Sequence, residues 1–391
     1  MKLESFPYIQ AIQINDCFAI KDTHIQIFEK GEEFRHLILT GKNGSGKTTI
    51  LNEINSLLQS IRVYYPTRHN NLDENFWLKN SSKRIETQFS HRIDEISKNN
   101  KNHIFSLFKA TRIIHVQDVT SPIKEDEIIR NVLGPGPVHS SQTFSNYFKH
   151  YLVNKKIAQA FLTIKRDEIG SRIIEDFFTN IESTLKEIFR DDSLKLKFIE
   201  ESYDFKIIYG DNQIIGFDQL SSGFSALLDI ISELIVQTDL IRKSESDFTY
   251  NPLGIVLIDE PENHAHLAMQ EQILPLLTTL FPKVQFIVAT HSPAVIASIK
   301  NATVFDLSSK QTFREGLVGS SYSQLMIKLF GLNNQYSTLA DQLLNKVNTL
   351  LLEENKEKAK TELQKILTEN LDLLSPSLYL EIESAIHLIQ D

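Results

Sequence analysis

The 391-residue chain is long enough to bury a sizeable core in one large domain or two ordinary ones. Its composition is typical of a soluble globular protein, with no apolar run near about 18 residues and no signal-peptide pattern at its start, so we expect it in the cytoplasm and not in a membrane. The single cysteine, Cys17, excludes an internal disulfide and a thiolate metal cluster, and the net charge of -9 argues against general nucleic-acid coating.

Short β-like segments lie between residues 8 and 40, and the last of them leads into GKNGSGKTTILNEI at 41–54. The three glycines of this stretch permit a tight turn and leave backbone amides uncovered. The apolar periodicity that follows predicts a helix from near Lys47 to about Arg62. Bare amides at a helix N-terminus indicate an anion-binding site.

The spacing of this loop fits G-x-x-x-x-G-K-[ST], in which the lysine reaches the β- and γ-phosphates of a nucleotide and the hydroxyl ligates Mg²⁺. The alternative, a flexible glycine-rich turn, is disfavoured by the strand before the loop and the helix after it. The predicted nucleotide-binding residues here are Gly41, Asn43, Gly44, Ser45, Gly46, Lys47, Thr48 and Thr49.

A polar, poorly periodic segment follows, which we interpret as an insertion at 63–103 with room for one short helix, before a strand within 104–116. Residues 61–115 hold ten basic and five acidic side chains. Aromatic and basic residues together could track a nucleic-acid backbone, but charges this sparse are more typical of a solvated insertion. The residues concerned are Trp77, Lys79, Lys83, Arg84 and Arg92.

Two amphipathic patterns between 142 and 190 predict helices of about 20 residues each, which we assign to a helical lobe at 122–190. At 1.5 Å per residue neither helix exceeds roughly 30 Å, too short for the long coiled coils of chromosome-structuring ATPases. Three strands are predicted between 194 and 217, followed by a helix that opens with LSSGF at 220–224.

The uninterrupted apolar run GIVLIDE at 254–260 predicts a parallel strand buried on both faces. Asp259 at its tip is placed as the Mg²⁺ partner of a phosphate loop, and Glu260 then points toward an attacking water. Two acids can also simply end a strand at the surface, but the phosphate loop in the same chain favours the catalytic interpretation. A second apolar strand, VQFIVATHS at 284–292, ends in Thr-His.

The order of phosphate loop, LSxG, DE and then histidine resembles the ATP-binding cassette (ABC) ATPases over nearly all of residues 8–310. DEPENHAHL followed by THSP narrows the resemblance to the OLD and RecF-like group, whose usual form is D-E-P-E-x-H-L-H-P and then T-H-S-P. Ala265 and Leu267 replace the usual Leu and Pro, which we interpret as tolerable packing changes. Phe224 replaces the polar residue that normally ends the cassette signature, which weakens the expectation of contact across a dimer.

This resemblance implies an α/β fold, namely an ABC-ATPase head of the P-loop NTPase class with an N-terminal β-lobe, a helical lobe and a C-terminal helical tail. The implied domains are an ATPase core at 1–310 and a helical region at 311–391. ATP and Mg²⁺ are the implied cofactors. The implied roles are catalysis by Lys47, Glu260 and His291, Mg²⁺ binding by Thr48 and Asp259, and completion of a partner subunit's site by Ser221 and Gly223.

Three further residues leave alternatives open. Gln117 could sense Mg²⁺ and water between the lobes, although an exposed turn residue fits its loose context better. His264 and His266 resemble a metal pair, but positions i and i+2 do not share a helix face, so structural or dimer-contact roles are favoured.

An ABC-type site is a switch that clamps two heads around ATP. OLD proteins carry a Toprim nuclease after the ATPase, but the tail after residue 310 lacks an acidic strand-end pair such as D-x-D, and neither zinc-ligand cysteines nor an H-N-H pattern is found. Our first hypothesis is a dimeric or higher-oligomeric ATPase and sensor subunit of prokaryotic antiphage defence that controls a separately encoded nuclease or toxin. The alternative is a RecF-like clamp that binds DNA when ATP closes the dimer. A transporter ATPase fits the helical lobe and the DEPEN segment less well.

The helical tail has two interpretations of its own. Residues 341–391 hold ten acidic and five basic side chains, and a leucine-rich stripe runs along the predicted helices from 335. The stripe could cap the ATPase core, or the helices could form an oligomer or effector dock that favours a basic partner. The stripe consists of Leu339, Leu343, Leu344, Val347, Leu350 and Leu351.

Overall fold

In the computed structural model the chain forms two compact units, Met1–Ser320 and Ser321–Asp391. The residues whose placement is described are 6–17, 19–64, 77–79, 82–93, 96, 102–110, 119, 123–124, 127–129, 141–314, 317–330, 338–351, 356–369 and 376–388. None of the described helices is both long and apolar enough to cross a membrane.

The first unit combines strands and helices in an order close to that predicted. Its described strands are β1 (Ile9–Cys17), β2 (Ile20–Gln26), β3 (His36–Thr40), β4 (Trp77–Lys79), β5 (Ile85–Phe89), β6 (His103–Phe108), β7 (Lys195–Ile199), β8 (Asp204–Tyr209), β9 (Gln213–Gly216), β10 (Leu253–Asp259), β11 (Val284–Ala289), β12 (Ala302–Asp306) and β13 (Gln311–Phe313). Its principal helices are α1 (Lys47–Tyr64), α2 (Ser141–Ile164), α3 (Glu168–Phe189), α4 (Ser222–Glu245), α5 (Leu267–Leu280) and the short α6 (Pro293–Ile296).

A central sheet has the strand order β13-β12-β3-β11-β10-β6. All neighbours in it are parallel except β12 and β13. Every residue of β3, β10 and β11 is buried, as expected of parallel strands covered on both faces. The parallel arrangement brings the carboxyl ends of β3, β10 and β11 to one edge, where the phosphate loop and both predicted catalytic strand ends lie.

The central sheet ends in a short edge strand, β13, that the sequence pattern does not predict. The three residues of β13 pair antiparallel with β12, so that Phe313 lies opposite Val304. Three residues are too few to show a periodicity, which is why the pattern missed them. The predicted domain boundary after residue 310 therefore falls between two paired strands of the first unit.

A second sheet, with the order β2-β1-β5-β4, lies on the other side of α1 from the central sheet. Ile50 and Ile54 of α1 belong to one buried cluster that also contains Ile12 of β1 and Ile255 of β10. Repetition of apolar residues every three or four positions gives α1 enough apolar surface to contact both sheets. Burial of this helix fixes the direction in which its N-terminus, and hence the phosphate loop, points.

The second sheet includes two strands from the predicted insertion at 63–103. β5 pairs antiparallel along β1, with Ile85 opposite Ile14, and β4 pairs in turn with β5. Within the described residues the segment contributes two strands to the N-terminal β-lobe. Ile85, Thr87 and Phe89 are buried and alternate with less buried residues, which is the period-2 pattern of a strand with one buried face.

The helical lobe consists of α2 and α3, of 24 and 22 residues, and it packs beside the antiparallel sheet β7-β8-β9. Lys149 of α2 lies 2.6 Å from Asp204 of β8, and Lys155 of α2 lies 2.6 Å from Asp239 of α4. Tyr151 also donates a hydrogen bond to Asp239. The contacts of Lys155 and Tyr151 with Asp239 tie the helical lobe to α4, the helix that begins with the LSxG turn.

The two sheets around α1 are also joined by a fully buried glutamine. The Gln285 side chain of β11 accepts a hydrogen bond from the Ile9 amide at 2.8 Å and donates to the carbonyls of Ile9 and Arg35 at 2.9 Å each. Beside it, Nδ1 of the buried His36 accepts from the Phe286 amide at 3.0 Å. Burial, and to a smaller extent the charge of the neighbouring Arg35, lower the pKa of His36 to about 4. His36 is therefore neutral in the folded protein.

Acidification is expected to destabilise this fold through His36. Because its folded pKa of about 4 lies below its ordinary value of 6.5, the unfolded chain binds the additional proton, and stability is lost as pH falls from 6.5 toward 4. The expected loss at pH 5 is about 2 kcal/mol. In His36→Asn the amide oxygen can accept the Phe286 N–H without titrating. Urea unfolding at pH 7.5 and 5 should show a smaller pH effect in this variant, and an unchanged effect would refute the assignment.

The second unit is made of helices α7 (Tyr322–Phe330), α8 (Thr338–Leu351), α9 (Lys356–Glu369) and α10 (Pro376–Leu388). Val347 and Leu350 of the predicted apolar stripe are buried, and Leu343 packs against the same cluster. The side chains of Leu339, Leu344 and Leu351 lie outside the described residues. The remaining members of the cluster come from α9 and α10: Ala359, Leu363, Ile366, Ile382 and Ile386. The described part of the stripe is thus covered within this unit, and the cap and dock interpretations stay predictions.

Candidate nucleotide-binding site

The loop between β3 and α1 has the backbone geometry that its sequence predicts. Gly41, Gly44 and Gly46 have φ angles of 133°, 78° and 99°, a region that side-chain-bearing residues rarely adopt. Asn43 and Gly44 are exposed at the loop tip, whereas Ser45 is buried. The loop therefore turns without side chains over its amides, as an anion-binding loop requires.

Lys47, the first residue of α1, folds back into this loop. Its Nζ donates to the carbonyl oxygens of Gly41 at 2.9 Å and Lys42 at 3.3 Å, and the residue is buried. Burial lowers the pKa of the ammonium, and the carboxylates of Glu260 and Asp259 oppose that shift. The positive charge is thus held at the centre of the loop among acidic side chains.

The side chains of Thr48 and Asp259 contact each other where the phosphate loop joins α1. The Thr48 hydroxyl donates to Oδ2 of Asp259 at 2.8 Å, and Asp259 is the last residue of the buried strand β10. A hydroxyl and a carboxylate side by side are the hard oxygen ligands that Mg²⁺ accepts together with phosphate oxygens and water. The residues therefore fit the predicted ion. Among the described residues no cluster of three or more His, Cys, Asp or Glu offers an all-protein metal site.

Glu260 and His291 come together at the ends of β10 and β11. Oε1 of Glu260 lies 3.8 Å from Nε2 of His291, while its Oε2 accepts a hydrogen bond from the Asn263 side chain at 3.0 Å. Burial lowers the pKa of His291 and the charge of Lys47 lowers it further, although the carboxylates of Glu260 and Asp259 act in the opposite direction. A carboxylate and an uncharged imidazole beside the loop can polarise water and contact a terminal phosphate.

The LSxG turn is built differently from the other site elements. Ser221 is exposed before α4, and among the described residues its side chain makes no hydrogen bond to the phosphate loop. Gly223 is buried where a Cβ would lie 2.7 Å from the carbonyl oxygen of His264. The structure therefore does not bring Ser221 into the site of its own chain, and Gly223 is needed for close packing against the segment after Glu260.

Phe224, the departure from the cassette signature, has a packing role within the chain. Its ring stacks on that of Phe189 of α3, with centroids 4.6 Å apart and an interplanar angle of 11°. The His266 ring lies 6.4 Å away at 69°. Phe224 thus attaches α4 to the helical lobe. This packing explains why an aromatic residue stands where the cassette signature usually has a polar one.

Sequence reasoning missed two groups that support the site. Glu262 accepts hydrogen bonds from the turn that contains His291, and Asn263 holds Glu260. On the other side, the Ser308 hydroxyl accepts from the Lys42 amide at 2.8 Å, and Asp306 in turn accepts from the Ser308 amide at 2.9 Å. Asp306 ends an apolar strand just as Asp259 does, and that repeated pattern was the available signal.

Of the remaining candidate functional residues, some lie within the described part of the chain and one does not. Gln117 lies outside the described residues. His264 adopts a left-handed φ of 64° in a turn, in keeping with the structural role preferred for it, and a dimer contact by His264 or His266 stays a prediction. Lys79 and Arg84 form ion pairs with Glu86 at 3.3 Å and Glu53 at 3.1 Å, which reduces the charge available to a nucleic acid.

A parallel α/β core that joins a phosphate loop to an acidic strand end is the architecture of P-loop NTPases, and the separate helical lobe with its LSxG turn indicates their ABC-type branch. The predicted fold class is confirmed. The family model described as "AAA domain, putative AbiEii toxin, Type IV TA system" matches residues 52–297, more than half of the chain. The chain belongs to this family.

Two curated relatives illustrate the match. The chain is 24% identical over 346 residues to the Septu protein PtuA of Bacillus thuringiensis, which covers 82% of this chain and 85% of PtuA. It is 34% identical over 129 residues to the probable ATPase of retron Ec83 from Escherichia coli, which covers 32% of this chain and only 23% of that protein. The prediction that the chain belongs to the ABC-type ATPases found in antiphage defence is confirmed, and so is the predicted ATPase activity: the chain is a nucleotide-binding ATPase.

Solved structures with a similar fold are more distant. An ATP-binding cassette of an ABC transporter in its ADP conformation has a TM-score of 0.40 and 14% identity, with 84% of this chain and 96% of that one covered. The SMC head domain from Thermotoga maritima has a TM-score of 0.36 and 13% identity, with 76% and 93% covered. No functional conclusion follows from these two scores.

Proposed function

We propose that this chain is the ATP-switched subunit of a prokaryotic antiphage defence system, that it works as a dimer or higher oligomer, and that it controls a separately encoded effector, a nuclease or toxin. The catalytic, nucleotide and Mg²⁺ roles assigned from the sequence to Lys47, Thr48, Asp259, Glu260 and His291 form part of this proposal. The similarity to PtuA along most of both chains supports the defence context. The similarity to a retron ATPase, though confined to part of that protein, points the same way.

The main support for a dimer is the position of the LSxG turn. Lys47, Thr48, Asp259, Glu260 and His291 gather at one edge of the central sheet, whereas Ser221 is exposed and, among the described residues, its side chain makes no hydrogen bond to the phosphate loop of its own chain. The tip of the phosphate loop at Asn43 and Gly44 is exposed, so a second chain could reach a phosphate held there. Two chains arranged head to tail would each supply the LSxG turn to the other, as Ser221 and Gly223 are proposed to do.

Mixing two inactive variants tests this shared site. Lys47→Ala removes the loop cation, and Ser221→Arg places a bulky charge on the exposed turn without touching the loop. Each variant alone should lack ATPase activity. In an equimolar mixture half of the dimers are mixed and each contains one intact composite site, so about a quarter of wild-type activity should return. Full activity of Ser221→Arg alone, or no recovery on mixing under conditions where chains exchange, would contradict the shared site.

The effector is tested by tagging the full chain in its own gene neighbourhood and purifying it with the neighbouring gene products. A stoichiometric nuclease-like or toxin-like partner, together with loss of phage protection in Lys47→Ala cells, supports the proposal. Salt-sensitive, ATP-dependent DNA binding without any such partner would replace it by the clamp function. The acidic excess of residues 341–391 predicts that partner binding weakens as salt rises.

A further inference from the structure

The turn that carries His291 is held by one carboxylate oxygen. Oε1 of Glu262 accepts hydrogen bonds from the Thr290 hydroxyl at 2.6 Å, the His291 amide at 2.8 Å and the Ser292 amide at 3.2 Å. The Thr290 amide still donates to Leu39 of β3, so the strand pairing ends one residue before His291. Glu262 thus accepts from the first two amides that the sheet no longer pairs.

The same segment also fixes Glu260. The Glu260 amide donates to the Ala289 carbonyl at 2.8 Å, and the Asn263 side chain bridges Oε2 of Glu260 and the Ala110 carbonyl at 3.0 and 3.2 Å. Glu260 itself has a left-handed φ of 46°, a strained conformation for this residue type that the surrounding bonds maintain. The loop after β10 therefore determines the position of both groups that face each other across 3.8 Å.

A second set of contacts secures the far side of the turn. The Ser292 hydroxyl donates to Oε1 of Gln270 at 2.7 Å, and Nε2 of Gln270 donates to the Ala265 carbonyl at 2.7 Å. The His291 turn is consequently bonded at two points, to Glu262 in the segment between β10 and α5 and to Gln270 in the first turn of α5, which in turn holds that segment at Ala265. Displacement of that segment would displace His291 with it.

We propose that Glu262 is a positioning residue for ATP hydrolysis, which sets the distance between His291 and Glu260 through the backbone of the 290–292 turn. This inference rests on the proposed roles of His291 and Glu260. Glu262 acts through those residues and touches no reacting atom. The reach of its side chain matters more than its charge, because one oxygen accepts from the His291 amide and the Thr290 hydroxyl, while Oε2 is buried and accepts no hydrogen bond from the described residues. The Ser292 amide is shared between this oxygen at 3.2 Å and the Thr290 hydroxyl at 2.9 Å, and that hydroxyl is itself held by Glu262.

Three substitutions at Glu262 distinguish the effect of side-chain length, here called reach, from the effect of charge. Glu262→Ala removes the acceptor, Glu262→Asp keeps the charge but withdraws the oxygen by one methylene, and Glu262→Gln keeps the reach without the charge. We expect kcat to fall about 10- to 100-fold in the Ala and Asp variants, with ATP affinity within about threefold of wild type. The Gln variant should keep kcat within about tenfold, because its amide oxygen can accept the same bonds while its NH₂ must be buried. Glu271→Ala, an exposed position on α5, should have no effect.

A double-mutant cycle with His291→Ala shows whether Glu262 acts through the histidine. Combining Glu262→Ala with His291→Ala should lower kcat no further than the more damaging single change. Losses that multiply in the double variant would overturn the proposal. An Asp variant that retains turnover while the Gln variant loses it would also overturn it, since charge and not reach would then be responsible.

Amide hydrogen exchange tests the positioning even if His291 proves dispensable. Exchange at His291 and Ser292 should accelerate in the Ala and Asp variants and stay near wild type in the Gln variant. If His291→Ala hydrolyses ATP normally, the proposed catalytic role of His291 fails, and this exchange pattern still decides whether Glu262 holds the turn. Unchanged exchange in Glu262→Ala would overturn the inference whatever the activity of the His291 variant.

Discussion

Lys47→Ala is expected to abolish detectable nucleotide binding. Lys47 is buried with its ammonium bonded to the Gly41 and Lys42 carbonyls, so the loop is already shaped around this cation. Without it, incoming phosphates would face Asp259 and Glu260, whose charges act on Lys47, with no opposing charge at the centre of the loop. A loss of ATP affinity of about 100-fold or more, measured by titration calorimetry, follows from removing a charge-assisted phosphate contact.

Lys42→Ala is the matched control, because Lys42 belongs to the same loop but its side chain is exposed. It should bind ATP within about threefold of wild type, since an exposed and screened charge contributes little. Thermal unfolding of both variants without nucleotide should stay close to wild type, which would show that the loss is local. Wild-type ATP affinity in folded Lys47→Ala would refute the phosphate-loop assignment.

Glu260→Gln is expected to bind ATP normally and to lose turnover. The amide oxygen of glutamine can still accept the hydrogen bond from Asn263, which now contacts Oε2 at 3.0 Å, so the shape of the site should persist. The amide that replaces Oε1 opposite His291 cannot accept a proton or polarise water as a carboxylate does. Single-turnover ATP hydrolysis should slow by about 100-fold or more while ATP affinity changes little.

The same variant should accumulate in the ATP-bound state, and a switch that opens on hydrolysis would then stay closed. Size-exclusion chromatography with light scattering should show a larger stable assembly for Glu260→Gln with ATP than with ADP. Glu271→Gln, exposed on α5, provides the control for an added amide. Normal hydrolysis by Glu260→Gln would mean that another residue activates the water.

The sequence was most informative where function demands an unusual local pattern. Three glycines before Lys47 have no ordinary use in a helix or strand, and their positive φ angles show why they are present. The acidic end of β10 could also be predicted from the sequence, because polar residues directly after a fully apolar run are easily recognised. Short elements with mixed polarity could not be predicted. β5 has only five residues and its pairing depends on β1, which is distant in sequence, whereas β13 has three residues, too few to show a periodicity.

Local sequence by itself determined the class of the fold, the phosphate loop and the identity of the strand-end acids, since each depends on neighbours within a few residues. Only the tertiary structure decided which groups meet: the Thr48 hydroxyl with Asp259, Glu260 with His291, and Glu262 with a turn 28 residues further along the chain. It also decided that Gly223 packs against His264 and that Ser221 stays outside its own site. The physical reason is that parallel strands distant in sequence end at one edge of the sheet, where hydrogen bonds form between residues whose separation leaves no periodic signal.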